Sequence, residues 1–215
     1  MSGTDKAKDA VWDANGPVFV LVRPQLGENI GAACRAMWNF GLDRMRLVAP
    51  RDGWPSERAQ AVASGATRVI DKATLHPDTQ AAVADLDYTY ATTARPREIT
   101  KTVFTPEAAM ADALARIGAG QKVGILFGPE RTGLENDDVT RAQAIVSVPA
   151  NPAFASLNLA QCVLLTAYEW RRQATDSPGE VFVAGRSDLA TREGVDRMLD
   201  HLEAELEDSG FFYPE

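Results

Sequence analysis

Three loops of the chain combine glycines with polar side chains, and each follows a strand-like apolar run. They span residues 23–31, 127–134 and 149–158. Glycines let a backbone approach a ligand closely, and a loop that opens a helix presents free amides to a phosphate or an adenosine. The first loop has neither the G-x-G-x-x-G nor the G-x-x-x-x-G-K-[ST] spacing. A Rossmann dinucleotide loop and a P-loop are therefore not predicted.

The polar side chains in and just after these loops are the candidates for chemistry. Asn29 and Arg35 belong to the first loop and its helix, Glu130 to the second, and Ser156 and Asn158 to the third. Each also has a simpler interpretation. Asn29 and Ser156 could be helix caps, and Arg35 could be a solvated charge on an amphipathic helix. Taken singly, none of them identifies a reaction.

Composition argues against metal and disulfide chemistry. The histidines are His76 and His201, and the cysteines are Cys34 and Cys162, which lie outside any C-x-x-C pattern. This excludes a His-rich metal site, a zinc ribbon and a disulfide scaffold. Both cysteines occur in apolar helical patterns that are typical of core thiols.

The charge of the chain is distributed unevenly. Its 215 residues are 45% hydrophobic and 24% charged, as in globular proteins, and carry a net charge of −8. Residues 188–215 hold nine acidic side chains and two arginines, so the rest of the chain is nearly neutral. A local basic surface for RNA is therefore permitted. With no apolar run of about 18 residues and no signal-like N-terminus, we expect no membrane span and a cytoplasmic location.

Strand-length apolar runs alternate with helical patterns along the chain. The predicted strands are 18–22, 46–49, 69–70, 88–92, 123–127 and 145–148. The predicted helices are 28–40, 56–64, 77–85, one opening at 105–107, and 156–172. This alternation predicts an α/β fold with a mostly parallel sheet sandwiched by helices. Ligands bind such sheets beyond the carboxyl ends of the strands, which is where the three loops would lie.

The predicted organisation has four parts. They are a flexible lead-in (1–15), the main α/β domain (16–173), a linker (174–190), and an acidic C-terminal helix with an aromatic end (191–215). The acidic helix carries an apolar stripe formed by Val195, Met198, Leu199, Leu202 and Leu206. We expect the stripe to pack on the main domain or on a partner subunit, with the acidic face pointing away from RNA.

Together the three loops resemble the motifs of the SpoU/TrmH class of the SPOUT methyltransferases. The first motif is similar to Asn29-x-Gly31-x-x-x-Arg35-x-x-x-Asn39-Phe40-Gly41, and the second to Phe127-Gly128-x-Glu130-x-x-Gly133-Leu134. The third resembles Ile145 to Val148 with Pro149 and Ser156-Leu157-Asn158-Leu159-Ala160. The motifs occur in the family's order and cover roughly residues 17–172. Ala150-Asn151-Pro152 and the acidic C-terminal helix look most like the TrmJ-type tRNA 2′-O-ribose methyltransferases.

The resemblance implies a fold and a cofactor. SPOUT enzymes have a deep trefoil knot near the C-terminal end of the sheet, an exception to the rule that chains do not thread loops. The implied methyl donor is S-adenosyl-L-methionine (AdoMet), without a metal, and the implied active unit is a homodimer with sites at the subunit interface. The implied cofactor contacts are Thr92, Thr93, Ala94, Gly128, Val148, Ser156 and Leu157.

The resemblance also implies a reaction and roles for the polar residues. The reaction is methyl transfer to a ribose 2′-hydroxyl of RNA, and the subgroup implies nucleotide 32 of the tRNA anticodon loop. Arg35 is the implied catalytic residue, and because a guanidinium stays protonated, it suits alkoxide stabilisation or phosphate binding better than base catalysis. Asn29 would orient Arg35 or the ribose, and Glu130 would hold Arg35 or Asn29. Ser156 and Asn158 would complete the pocket.

Cations in or near the loops are the candidates for RNA phosphates. They are Arg23, Arg95, Arg97, Lys101 and Arg131. Alternative functions stay open at this point: methylation of ribosomal RNA or of another tRNA position, or a knotted RNA-binding protein without catalysis. A generic α/β nucleotide-binding module is disfavoured by the absence of the glycine fingerprints.

Overall fold

The computed structural model of the protein describes residues 15–94, 100–175 and 189–212. Several predictions lie outside these residues: almost all of the lead-in, Arg95 and Arg97, most of the linker, and the last part of the aromatic end. Among the described residues, no helix has the length and hydropathy of a membrane span.

Seven parallel strands form a single sheet in the order β3-β2-β1-β6-β4-β7-β5. They are β1 (Val18–Val22), β2 (Met45–Val48), β3 (Thr74–His76), β4 (Tyr88–Thr92), β5 (Thr102–Phe104), β6 (Val123–Phe127) and β7 (Ala144–Val146). The central strands β1 and β6 are buried along their full length, which explains their uninterrupted apolar sequences. The predicted α/β fold with a parallel sheet is confirmed.

Helices cover both faces of the sheet. They are α1 (Gly27–Asn39), α2 (Glu57–Ala63), α3 (Thr67–Lys72), α4 (Thr79–Val83), α5 (Pro106–Gly118), α6 (Asn136–Thr140) and α7 (Leu159–Ala174), with a short 3₁₀ turn at Pro152–Phe154. Alternate strand residues point to opposite faces. Phe19 and Ile125 pack with α1, α2, α3, α5 and α7 in the larger core. Val20 and Leu126 pack with α4 and α6 in the smaller one.

The prediction of a strand at 69–70 is wrong, because these residues lie in α3. Ala66, Val69 and Ile70 are buried together, and this spacing marks one face of a helix. A pair of adjacent apolar residues does not distinguish the two structures. The edge strands β3 and β5 were missed, since each has three residues of which two are exposed, and they lack the apolar run of a central strand.

The last helix of the main domain begins later than predicted. Asn158 is the N-cap of α7, and its side-chain oxygen accepts a hydrogen bond from the backbone N–H of Ala160 at 2.8 Å. This cap starts the helix at Leu159. Ser156 and Leu157 therefore remain in the loop before the helix.

A second compact unit follows residue 176, and its described part contains α8 (Arg192–Asp208). The Thr191 hydroxyl oxygen caps this helix by accepting from the N–H of Gly194 at 3.1 Å. None of the helix residues is buried, and Met198, Leu199 and Leu202 of the apolar stripe are exposed. The packing of this stripe stays a prediction.

Candidate active site

The carboxyl ends of four neighbouring strands carry the loops singled out from the sequence. Residues 23–26 connect β1 to α1, and residues 128–134 follow β6. Thr93 and Ala94 follow β4, and residues 147–158 follow β7. Because β1, β6, β4 and β7 are adjacent and parallel, these loops meet at one edge of the sheet.

A cavity of about 380 Å³ opens between these loops. Its lining includes every residue predicted to contact a cofactor: Thr92, Thr93, Ala94, Gly128, Val148, Ser156 and Leu157. Val146 and Leu159 extend its apolar wall, and Glu130 adds a carboxylate. A largely apolar cavity with a few polar groups suits a small organic ligand that carries both an aromatic and a charged part.

Two glycines allow the loop after β6 to fold back on itself. A Cβ on Gly128 would lie 2.2 Å from the backbone nitrogen of Leu134 and 2.4 Å from the carbonyl carbon of Gly133. Gly133 has φ of 66°, a conformation that favours glycine, and its N–H donates to the Pro129 carbonyl at 2.8 Å. The close approach of the two loop ends forms one wall of the cavity.

Asn29 is the middle of a hydrogen-bond chain that joins three of the predicted catalytic residues. The Asn29 amide nitrogen donates to Glu130 Oε1 at 2.6 Å, and the Asn158 amide nitrogen donates to Asn29 Oδ1 at 3.0 Å. The second oxygen of Glu130 accepts from the backbone N–H of Gln25 at 2.9 Å. Of the two partners proposed for Glu130, the chain brings Asn29 to it.

Arg35 belongs neither to this hydrogen-bond chain nor to the cavity lining. It follows Asn29 by six residues on α1, which places the two side chains about 120° apart around the helix axis. Arg35 is exposed, does not line the cavity, and makes no hydrogen bond or ion pair with another described residue. Within one chain, the cavity and the Arg35 guanidinium are therefore separate.

Ser156 and Cys162 line the cavity from the β7 side. Ser156 is exposed in the loop before α7, whereas Cys162 is half-buried on the helix itself. Burial raises the pKa of the Cys162 thiol to about 11, against the opposing effect of a hydrogen bond with Thr92. The thiol is thus neutral at physiological pH and forms part of the wall rather than a nucleophile. Cys162 lies three residues after Leu159 on the same helix, and this helical spacing could have indicated that both residues line the cavity.

The described members of the predicted RNA-binding set occupy different environments. Arg131 is exposed at the cavity, whereas the Arg23 guanidinium is paired with Asp138. Lys101 Nζ donates to the carbonyl of Thr140 at 3.1 Å and to the carbonyl of Ala142, next to the C-terminus of α6. Of these three cations, Arg131 is the one left at the cavity.

One cation near the site was missed by the sequence reasoning. Arg51 is exposed after β2, and its backbone N–H donates to the Pro24 carbonyl at 3.0 Å. Its side chain pairs with Asp52 at 2.9 Å. That hydrogen bond, with a smaller contribution from the Glu130 charge, raises the Arg51 pKa above its ordinary value. Its position at the carboxyl end of a predicted strand was the available signal.

Comparison with known proteins identifies the family of the chain. Residues 16–168 match the model of the SpoU rRNA Methylase family, a range that contains all three loops. The chain is 35% identical over 204 residues to the tRNA (cytidine/uridine/adenosine-2′-O-)-methyltransferase TrmJ of Pseudomonas aeruginosa, covering 91% of this chain and 79% of the relative. The crystal structure of TrmJ from Z. mobilis ZM4 is similar with a TM-score of 0.77 and 52% identity, covering 92% of this chain and 82% of that one.

Proposed function

The chain belongs to the SpoU rRNA methylase family of RNA 2′-O-methyltransferases. We propose that it methylates the ribose 2′-hydroxyl of nucleotide 32, a cytidine or uridine, in the tRNA anticodon loop. The observation that carries the methyltransferase part of this proposal is the Glu130–Asn29–Asn158 hydrogen-bond chain beside a cavity lined by all the predicted cofactor contacts. The choice of nucleotide 32 rests on the resemblance to the TrmJ-type enzymes. The similarity to tRNA methyltransferases over nine-tenths of the chain supports tRNA as the substrate. A tRNA substrate in turn supports a cytoplasmic location.

The residues of the cavity fit AdoMet. Val146, Val148, Leu157 and Leu159 form an apolar wall that would hold the adenine, and Glu130 and Arg131 place one charge of each sign at the cavity for the charged groups of AdoMet. AdoMet supplies a methyl group on a sulfonium, which is already activated for transfer, so the proposed reaction requires no metal. The proposal includes the trefoil knot of the family.

The difficult part of the proposed reaction is the activation of the ribose 2′-hydroxyl as a nucleophile. A ribose hydroxyl is a weak acid, and its proton must pass to solvent as the oxygen bonds to the methyl carbon and the methyl–sulfur bond breaks. A site that stabilises the developing alkoxide therefore lowers the barrier. Asn29 is suited to orient the ribose because Glu130 and Asn158 fix both ends of its amide. A guanidinium suits alkoxide stabilisation, the role we assign to Arg35. Ser156 adds a hydroxyl at the cavity wall.

We propose a homodimer in which Arg35 of the partner subunit completes each site. Two features support this arrangement. Arg35 is exposed and does not line the cavity of its own chain. In addition, α7 exposes Leu164, Leu165 and Tyr168, an apolar surface of the kind that subunit interfaces cover.

The test of the proposed substrate is a map of 2′-O-methyl groups in RNA from cells that lack the protein. We expect loss of the methyl group at tRNA nucleotide 32, restored in vitro by the purified protein and AdoMet. Loss at another tRNA position or in ribosomal RNA would replace the proposed substrate with that one. In a parallel binding assay, AdoMet should raise the melting temperature, whereas NAD and ATP should not.

Replacing Glu130 with glutamine is expected to slow methyl transfer about 10- to 100-fold, the cost of losing one or two hydrogen bonds to a charged group. The carboxylate accepts from Asn29 and from the Gln25 N–H, and a glutamine has a single oxygen for both. Single-turnover kinetics at saturating AdoMet would measure the effect. Glu57→Gln, at an exposed position in the first turn of α2, is the control. Equal rates for Glu130→Gln and the unmodified protein would contradict the positioning role of Glu130.

A further inference from the structure

Arg23 leaves β1 in a conformation that needs support. Its φ is 47°, in the left-handed region that residues other than glycine seldom adopt. Its guanidinium lies against Asp138, with Nη2–Oδ2 at 2.5 Å and Nη1–Oδ1 at 3.5 Å. Glu135 Oε2 lies 3.5 Å from Arg23 Nη2. The ion pair thus joins the start of the first loop to the first turn of α6, 115 residues away in sequence.

Asp138 is a buried acceptor whose other partners are also fixed. Its side chain is 5% exposed, and it accepts from the Thr79 hydroxyl at 2.6 Å and from the Glu135 backbone N–H at 3.0 Å. Burial alone would raise its pKa, but the hydrogen bonds from Arg23, Thr79 and the Glu135 backbone outweigh burial and lower the pKa below the usual value. The side chain is therefore a buried carboxylate, and Arg23 is the cation that compensates it.

Two acidic residues of the segment 130–138 hold the loop 23–29, taken here to include the first residues of α1, at both of its ends. Asp138 binds Arg23 at the start of the loop. Glu130 binds the Gln25 N–H and the Asn29 amide toward its end. A shift of either end would move Asn29 relative to Glu130, since the loop has only a few residues between its two attachments.

We infer that Arg23 is a positioning residue for methyl transfer and does not bind an RNA phosphate. The kinetic part of this inference rests on the proposed function. The Arg23–Asp138 pair fixes the loop 23–29 so that Asn29 keeps its bonds to Glu130 and Asn158. A phosphate that drew the guanidinium away from Asp138 would leave this buried carboxylate without its cation, which is strongly unfavourable.

The test replaces both partners, because removing Arg23 alone would strand a buried charge and destabilise the fold. The variant is Arg23→Met with Asp138→Asn, which keeps an amide oxygen for Thr79. We expect kcat at saturating tRNA and AdoMet to fall about 10-fold or more, with KM for tRNA and its salt dependence unchanged. Arg131→Ala provides the contrast: loss of one phosphate contact should weaken tRNA binding and reduce the salt slope by about one.

Two further variants separate positioning from general stability. Arg46→Met with Asp85→Asn removes another Arg–Asp pair, with Nη2–Oδ2 at 2.9 Å between β2 and the turn after α4. It should leave kcat unchanged. Arg23→Lys keeps the charge but loses the planar fork, so its kcat should lie between those of the double variant and the unmodified protein.

Amide hydrogen exchange gives a readout that does not need methyl transfer. The N–H groups of Gln25 and Asn29 should exchange faster in the Arg23/Asp138 variant than in the Arg46/Asp85 variant. If loop exchange is faster in the Arg23/Asp138 variant but the unmodified protein methylates no RNA, the attachment of the loop by Arg23 is supported and the proposed function is refuted. The inference is overturned if the Arg23/Asp138 variant keeps its kcat, whether or not KM for tRNA rises, or if loop exchange does not change.

Discussion

A Gly128→Val substitution is expected to weaken AdoMet binding at least about 100-fold, which corresponds to the upper range of about 3 kcal/mol for forced overpacking. A Cβ at this position meets the backbone of Leu134 at 2.2 Å and of Gly133 at 2.4 Å. Backbone atoms cannot rotate away as a side chain can, so the loop 128–134 must move. Because this loop is a wall of the cavity, its movement changes the shape of the cofactor site. Calorimetry with AdoMet and its demethylated product measures the change.

The control is Gly124→Ala, in the strand that leads into the same loop. There a Cβ meets the Leu86 terminal carbon Cδ1 at 2.4 Å, the far end of a flexible side chain that can rotate. Gly124→Ala should lose some stability and keep its AdoMet affinity per folded molecule. If Gly128→Val folds and binds AdoMet normally, this loop does not form the cofactor site.

The sequence predicted those parts of the fold in which the local pattern of residues strongly favours one type of secondary structure. The apolar runs of β1 and β6 and the β-branched and aromatic residues of β4 favour buried strands, and their predicted bounds agree with the structure. The edge strands β3 and β5 have no such pattern, because an edge strand needs less burial. The short helix α6 was missed as well, since five residues carry too little periodicity. Asn158 was singled out for the site, and its capping of α7 appears only in three dimensions.

The candidate site was predicted in its membership but not in its connections. The family motifs named Asn29, Glu130 and Asn158, and the structure joins them across 101 and 129 residues of sequence. Nothing in one sequence specifies such a pairing. For the same reason Arg23 was grouped with the RNA-binding cations, although its buried acidic partner lies on a distant helix. From sequence alone, a charged side chain in a loop is expected to be solvent-exposed, and only the fold shows whether an opposite charge lies next to it.

Replacing Arg35 with alanine is expected to lower methyl transfer by roughly 100- to 1,000-fold, the usual effect of removing a group that stabilises a developing oxyanion. Folding and AdoMet binding should change little, because Arg35 is exposed and does not line the cavity. Arg35→Lys should also be impaired, since an ammonium cannot make the planar contacts of a guanidinium. Single-turnover assays with calorimetry on the same samples would separate the two effects. Near-normal turnover of the alanine variant would exclude Arg35 from the mechanism.

Mixing the Arg35→Ala and Gly128→Val variants, at an AdoMet concentration that leaves the Gly128→Val cavity empty, tests whether Arg35 acts across a dimer interface. One protomer carries Arg35→Ala and the other Gly128→Val. In a mixed dimer, the intact cavity of the first protomer would meet Arg35 of the partner subunit, so one site of the two would be complete. Random reassociation makes half of the dimers mixed, and about one quarter of the unmodified activity should return. If Arg35 serves the cavity of its own chain, every site in the mixture lacks either the guanidinium or the cofactor pocket, and no activity returns.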